Sequence, residues 1–496
     1  MRVSLLDWLI VGTYLGVILL LGWWKGREER TTRDFIGGGH NVPWWAVLVS
    51  IVATEISALT FLNVPGVAFT GNLTYLQFGI GTIAGRFVVA YLFLGAYYRM
   101  RYLTVYSYLG DRFGPGTRYA ATGLFLFTRM LGASLRLSLA ALGVSIIFEL
   151  PFLITLILFS LLAIAYTFWG GIKAIIWTDF AQASVFIGGG LILAAWLGWQ
   201  LGWTQIWDNA GDAGKTLLFN LSPQSDRPGA WLNESNLLPL AFLNGFLMII
   251  ASLGTDQDLT QRMLTCRNVT AARRSVIWSG FIGIPVAGLF LCIGLGLWVY
   301  AQQTPSWNLP LTSEGGIDAN RIFPDFIRSE APALLRGLLI AGVFAAAMSS
   351  VDSAMGALSS SVVVDLYKPL IKPDADERHY VWASRIGVLA FGAIILLMAY
   401  SFRHAVTFLW LAFELASIPA GALLGIFLLG LLTDRGSDRG NLIALGCGVA
   451  ITAVLAAVRR SDWIALDWTW LIVVGMSTSF CLGLCFRPPA PPPDKP

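Results

Sequence analysis

Long apolar runs separated by short polar segments dominate the chain. A helix needs roughly 20 apolar residues to cross the hydrocarbon core of a bilayer, and about thirteen such runs can be drawn. They lie near 5–24, 43–68, 74–98, 119–149, 151–169, 174–200, 236–261, 275–301, 333–364, 380–401, 404–432, 440–458 and 467–486. The pattern predicts an all-α, multi-pass membrane protein.

Charge orients the spans. Only Arg2 precedes the first run, whereas Lys25, Arg27, Arg30 and Arg33 follow it. A cleavable signal peptide carries its charge ahead of its apolar region. By the positive-inside rule the N-terminus is then outside. Alternating from there, about 20 Lys and Arg fall on the cytoplasmic side against about 8 on the other, which favours an odd number of spans and a cytoplasmic C-terminus. This reading puts Arg118 and Arg262 in cytoplasmic connections, and Arg227, Arg459 and Arg460 outside. Two long outside loops, 202–235 and 303–331, read either as lids over a vestibule or as decoration. The Pro-rich tail 487–496 is expected to be disordered, and no soluble module is expected at either end.

Composition narrows the classes. The chain is 56% hydrophobic and only 12% charged, where a soluble protein would carry about a quarter charged residues. A net charge of +4 offers no basic face for nucleic acid. Three His, none paired at ligand spacing, leave little for metal or nucleophilic chemistry, so an enzyme is not expected. Cys266, Cys292, Cys447, Cys481 and Cys485 sit in or beside apolar stretches and read as buried small hydrophobes without a disulfide framework. Many of the 20 Trp lie where apolar runs meet polar sequence, as interfacial belts require.

Function must therefore be read from ionisable groups inside the spans: Glu55, Arg86, Arg129, Arg136, Asp179, Asp256, Asp352, Arg385 and Glu414. Each costs about 2.5–3.5 kcal/mol near mid-membrane, so they should face a wet cavity, a ligand or one another. Arg86 and Arg385 are expected to snorkel to the interface. Arg129 and Arg136 share nearly one helix face; they either hold a carboxylate solute or neutralise Glu55 or Asp179.

Two spans carry backbone signals. The second holds Ser50-Ile-Val-Ala-Thr-Glu-Ile-Ser-Ala-Leu-Thr60 and is closed by Pro65-Gly66; the seventh holds Ala251-Ser-Leu-Gly-Thr-Asp-Gln-Asp258. Both read either as helices that unwind at mid-membrane, freeing carbonyls for cations, or as ordinary hydroxyl-kinked helices. In the ninth span Ser349, Asp352, Ser353 and Gly356 form one small, polar stripe. Such a stripe serves helix packing or cation binding, and Asp352 favours the latter.

Taken together these pieces resemble the sodium/solute symporter family, which includes sodium/glucose, proline, monocarboxylate and sialic-acid symporters. The resemblance runs from Asp34 to about Leu432. It rests on Asp34-Phe-Ile-Gly-Gly-Gly with Pro43-Trp-Trp-Ala, Thr104-Val-Tyr-Ser-Tyr-Leu with Arg112-Phe-Gly, Gly170-Gly-Ile-Lys-Ala-Ile-Ile-Trp-Thr-Asp179 with Gln182, Asp256-Gln257 with Gln261-Arg262, and Ser349-Ser350.

The resemblance implies two inverted five-helix repeats, 34–201 and 236–433. Around them lie an N-terminal helix and basic flank (1–33), the loop 202–235, two further helices (434–486) and the tail 487–496. It implies a sodium site from the carbonyls of Ala53, Ile56 and Ala346 and the hydroxyls of Ser349 and Ser350. Asp179, Asp352 and Ser353 would form a second cation site or exit path, Asp352 standing where sialic-acid members have a serine. Ser57 and Thr60 match substrate-touching positions, while Thr60 replaces the galactose-binding glutamine of sugar members and Ser252-Leu253 replaces their aromatic inner gate. With Gln77, Arg129, Ser252 and Asp256 as further candidates, the resemblance implies sodium-coupled import of a small organic solute, a carboxylate or acidic sugar. A proton-coupled or neutral sugar or polyol symporter is the alternative, and a sensor or leak channel a remote one. Lipid and solute are the expected partners, without an obligate protein partner. A bacterial inner membrane is the expected location.

Overall fold

The computed structural model describes residues 4–26, 31–100, 102–223, 230–405, 408–461, 463–464 and 466–487. Arg2, Arg27, Arg30, Arg101, Arg227, Lys495 and most of the Pro-rich tail, on which part of the orientation argument stands, lie outside the described residues.

The described chain is helical, with only isolated bridges at Val42–Cys266 and Leu311–Ile317. Its principal helices are α1 (Leu5–Gly26), α2 (Trp44–Glu55), α3 (Leu59–Thr70), α4 (Thr74–Met100), α5 (Pro115–Phe148), α6 (Phe152–Thr167) and α7 (Ile172–Leu201). Then come α8 (Leu238–Thr255), α9 (Gln257–Leu264), α10 (Val269–Gln303), α11 (Ala319–Ser329), α12 (Leu335–Leu370), α13 (Glu377–Ser401), α14 (Phe408–Leu432), α15 (Asp438–Arg460) and α16 (Thr469–Leu484). Ten described helices are long and apolar enough to cross a bilayer, or 11 when α2 and α3 count as one bent span. The expected spans at 151–169 and 467–486 are the shorter apolar helices α6 and α16, each of 16 residues.

Both expected backbone breaks are present. α2 ends at Glu55, α3 restarts at Leu59, and the two axes differ by 53°. Its first turn, Leu59–Asn63, is a π-helix, a geometry often found at functional sites. α8 stops at Thr255 because Asp256 takes an extended backbone and caps α9, its side chain accepting from the Asp258 amide.

α12 lies at the centre: 94% of its most apolar stretch is buried, and it packs against α1, α5, α7 and α13. Glycines let α4 and α8 meet backbone to backbone, since β-carbons on Gly81 and Gly245 would fall on the carbonyl oxygens of Phe242 and Phe78. The loop 303–331 is more than decoration. Its helix α11 buries Ile322, Phe323, Phe326 and Ile327, and its Asn320 accepts a short hydrogen bond from Asn63 of α3. From the other long loop, Lys215 Nζ donates to the carbonyls of Phe69 and Gly71 (2.8 and 3.1 Å) and so caps the end of α3.

Several sequence expectations change here. Arg86 does not snorkel: it is 2% exposed and pairs with Glu55. Arg262 is no cytoplasmic loop charge but the largest fully buried side chain among the described residues. Arg118 turns inward to Asp365 at 2.8 Å. Cys481 and Cys485 are exposed at the end of α16, although Cys266 is buried. An unforeseen pair, Asp7 and Arg336 (3.0 Å), ties α1 to the start of α12, where Asp7 also accepts the Gly337 amide at 3.0 Å.

Candidate ion and solute site

The break between α2 and α3 brings the polar stripe of α12 against freed backbone. Ser349 Oγ donates to the Ala53 carbonyl at 3.3 Å and to the Ala346 carbonyl at 3.2 Å; Ser350 Oγ reaches the latter at 3.4 Å. Ile56, at the end of α2, has a non-helical ψ of 75°. All five residues are buried. Hydroxyl and carbonyl oxygens are the donor set that a hard monovalent cation takes.

One turn along α12, Asp352 accepts from Tyr166 Oη at 2.6 Å and from the Ser353 amide at 2.5 Å. Ser353 Oγ donates back to the Ser349 carbonyl at 2.6 Å. Gln182 Nε2 reaches Tyr166 Oη at 3.4 Å. Asp179 Oδ1 and Gln182 Oε1 are buried acceptors with no hydrogen-bond partner, which is costly unless something else binds them.

From Asp179 a chain of alternating charges runs through the protein. Ser50 Oγ donates to Asp179 Oδ2 at 2.5 Å, and Arg262 Nη2 reaches the same oxygen at 3.1 Å. Arg262 Nη1 donates to the Asp258 carbonyl at 2.6 Å and pairs with the Asp258 carboxylate. Asp258 also pairs with Arg129, whose Nη1 lies 3.6 Å from Asp256 Oδ2. Arg129 therefore neutralises neither Glu55 nor Asp179; those acids have their own arginines, Arg86 and Arg262. Sequence reasoning missed Asp258 and Arg262, although their i, i+4 spacing in a polar stretch was the available signal.

The far end of this chain opens into a cavity of about 210 Å³ beside the break. A water needs about 10–15 Å³ by such a measure, so this space suits an organic solute rather than a lone ion. Its wall includes Ser57, Thr60, Arg129, Ser252 and Asp256, together with Glu55, Arg86 and Arg136. Tyr75, Phe78 and Phe413 give it apolar faces. Gln77 does not line it. Its amide is fully engaged, donating to the Thr74 and Asn236 carbonyls and accepting from the Asn220 amide.

Relatives share this architecture along nearly the whole chain. "Sodium/sialic acid symporter SiaT" of Proteus mirabilis is 27% identical over 490 residues, covering 97% of this chain and 95% of the relative. "Sodium/sialic acid symporter NanT" of Aliivibrio fischeri is 25% identical over 489 residues, covering 97% and 93%. A solved structure described as the "Substrate-bound outward-open state of a Na+-coupled sialic acid symporter" superposes with a TM-score of 0.86 at 25% identity, covering 97% of each chain. The protein is a multi-pass membrane transporter that couples solute movement to sodium and not an enzyme; the family model "SSF: Sodium:solute symporter family" matches residues 35–448, and the chain belongs to that family.

Proposed function

We propose that the protein imports an acidic sugar of the sialic-acid class together with sodium, by alternating access across a bacterial inner membrane. The observation that carries this reading is the cavity beside the broken helix. It sets the hydroxyl residues Ser57 and Thr60 and the cationic side chains Arg129 and Arg136 in one wall, next to the Ala53–Ser349 junction. Hydroxyls suit a sugar, and guanidinium groups suit its carboxylate. The similarity to two sialic acid symporters along almost their full length supports the same class.

In this reading Ala53, Ile56, Ala346, Ser349 and Ser350 hold one sodium. Asp179, Asp352 and Ser353 hold a second cation or line its exit, consistent with the unpartnered oxygen of Asp179. Ser57, Thr60, Ser252 and Asp256 contact the solute, Arg129 stands in the same cavity wall, and Gln77 supports the wall from behind. The chain makes thirteen passes with α6 and α16 among them, N-terminus outside and C-terminus inside. Two inverted repeats, 34–201 and 236–433, rock against each other. Sodium at the junction orders the break before the solute arrives, and its inward movement contributes about 2.3 kcal/mol per charge per 100 mV of membrane potential.

The test is uptake of labelled N-acetylneuraminate into proteoliposomes under a sodium gradient, with potassium as control and neutral sugars and polyols in parallel. Sodium-dependent accumulation of the acid supports the proposal. Accumulation of a neutral sugar alone, or of the acid under a proton gradient without sodium, overturns it.

A further inference from the structure

Three arginines line the cavity, and they are not equivalent. Arg86 meets Glu55 and also donates to Ser279 Oγ and the Thr82 carbonyl, both at 3.2 Å. Arg129 faces two carboxylates, Asp256 and Asp258. Arg136 forms no ion pair among the described residues; its buried Nε has no hydrogen-bond partner, which holds equally for Arg129 Nε, so the two differ in their ion pairs. Its side chain folds back along α5, Nη1 lying 3.4 Å from where a β-carbon on Gly132 would stand. The absence of a side chain at Gly132 leaves that room. Seven residues span nearly two turns, so Arg129 and Arg136 sit about 10 Å apart along one face of α5.

A cation held in a membrane interior without a counter-charge is expensive, because neither water nor a carboxylate offsets its desolvation. The empty place beside Arg136 is the cavity itself. We propose that Arg136, not Arg129, takes the solute's carboxylate, and that Arg129 is a positioning residue held by Asp256 and Asp258 as the end of the charge chain from Asp179. This assignment rests on the acidic-solute reading and deepens it. The recognised ligand carries a carboxylate at the Arg136 end of the cavity. In the same cavity lining, the buried Oε1 of Glu55, also without a partner, accepts a hydroxyl or amide proton. A neutral sugar would leave Arg136 unpaired, and a site left with an unpaired charge discriminates strongly.

The experiment uses the full-length protein in proteoliposomes with N-acetylneuraminate and its methyl ester, which keeps the shape and removes the charge. For Arg136→Gln the apparent KM for the acid should rise about tenfold or more, the loss expected for a charge-assisted, forked pair. The preference for acid over ester should collapse with it. Arg136→Lys, which keeps the charge and loses the fork, should fall between. Sodium-dependent thermal stabilisation of each solute-free variant reports that it is folded. If Arg136→Gln keeps the acid preference while Arg129→Gln abolishes it, the assignment is overturned and the acidic-solute reading stands. The assignment also fails if Arg136→Gln only lowers the melting temperature, since Arg136 would then merely balance Asp256 through space. If the wild type shows no sodium-dependent uptake of the acid, the acidic-solute reading falls and this assignment falls with it.

Discussion

Ser349 Oγ lies 3.3 Å from the carbonyl oxygen of Ala53, 296 residues away in the chain. The contact exists because α2 stops at Glu55, leaving carbonyls near its end without the usual helical partners. Sodium binding here should therefore depend on one hydroxyl. Ser349→Ala is expected to weaken apparent sodium affinity by about tenfold or more, as the loss of one ligand to a cation implies. A ligand that binds only the folded state raises the melting temperature. The check is a melting series in sodium against potassium: the wild type shifts in sodium and the variant does not. An unchanged shift would remove Ser349 from the site.

The charge chain makes a second prediction. Arg262 serves two buried acids, Asp179 and Asp258, so removing it strands both. Arg262→Met should destabilise the protein by about 3–5 kcal/mol, the usual cost of breaking a buried pair on one side. Adding Asp179→Asn should restore part of that loss, because neighbours in one network are not additive. Chemical denaturation of all three variants completes the cycle. Strictly additive losses would show that Asp179 and Arg262 do not support each other.

How far the chain could be read without its fold follows from which partners are local. The break in the second span was legible because β-branched and hydroxyl residues crowd Ser50–Thr60 ahead of Pro65-Gly66. The stripe Ser349–Ser353 was legible because its spacing is helical. Pairings across the bundle were not. Glu55 finds Arg86 31 positions away, Asp7 finds Arg336 329 away, and Arg262 meets Ser50 212 away. Arg262 follows the last apolar run of its span, so local pattern assigns it to a loop. Only the break at Asp256 turns α9 back inward and carries Arg262 into the core. Gln77 was a candidate through the resemblance alone, and its hydrogen bonds to Asn220 and Asn236 depend on residues 143 and 159 positions away that spacing could not place beside it.

The close approach of α4 and α8 gives a packing prediction. A β-carbon on Gly245 would collide with the Phe78 carbonyl oxygen, which is backbone and cannot swing aside. Gly245→Ala should cost at least about 1–3 kcal/mol through overpacking. Gly123 of α5 has nothing within 4 Å of such a carbon. Gly123→Ala should be neutral or stabilising by up to about 1 kcal/mol, since alanine restricts the unfolded chain. Parallel melting curves decide, and equal behaviour of the two variants would contradict the packing.

Asp352 yields the last prediction. Its carboxylate is completely buried, accepts from Tyr166 and from the Ser353 amide, and stands one turn from Ser349. A carboxylate is not needed to hold a tyrosine hydroxyl, which an asparagine oxygen would accept equally well. If Asp352 is there for a second cation, Asp352→Asn keeps the hydrogen bond from Tyr166, gives up the one from the Ser353 amide, and removes the charge that the ion needs. The dependence of uptake on sodium should then change from sigmoidal to hyperbolic, while the thermal shift that requires Ser349 persists. Asp352→Ala, which also abandons Tyr166, should be less stable than Asp352→Asn by about 1–3 kcal/mol, the cost of an unsatisfied buried hydroxyl. The two variants separate the electrostatic role from the structural one. A sigmoidal dependence that survives Asp352→Asn would leave Asp352 as a partner of Tyr166 alone and place the second sodium elsewhere.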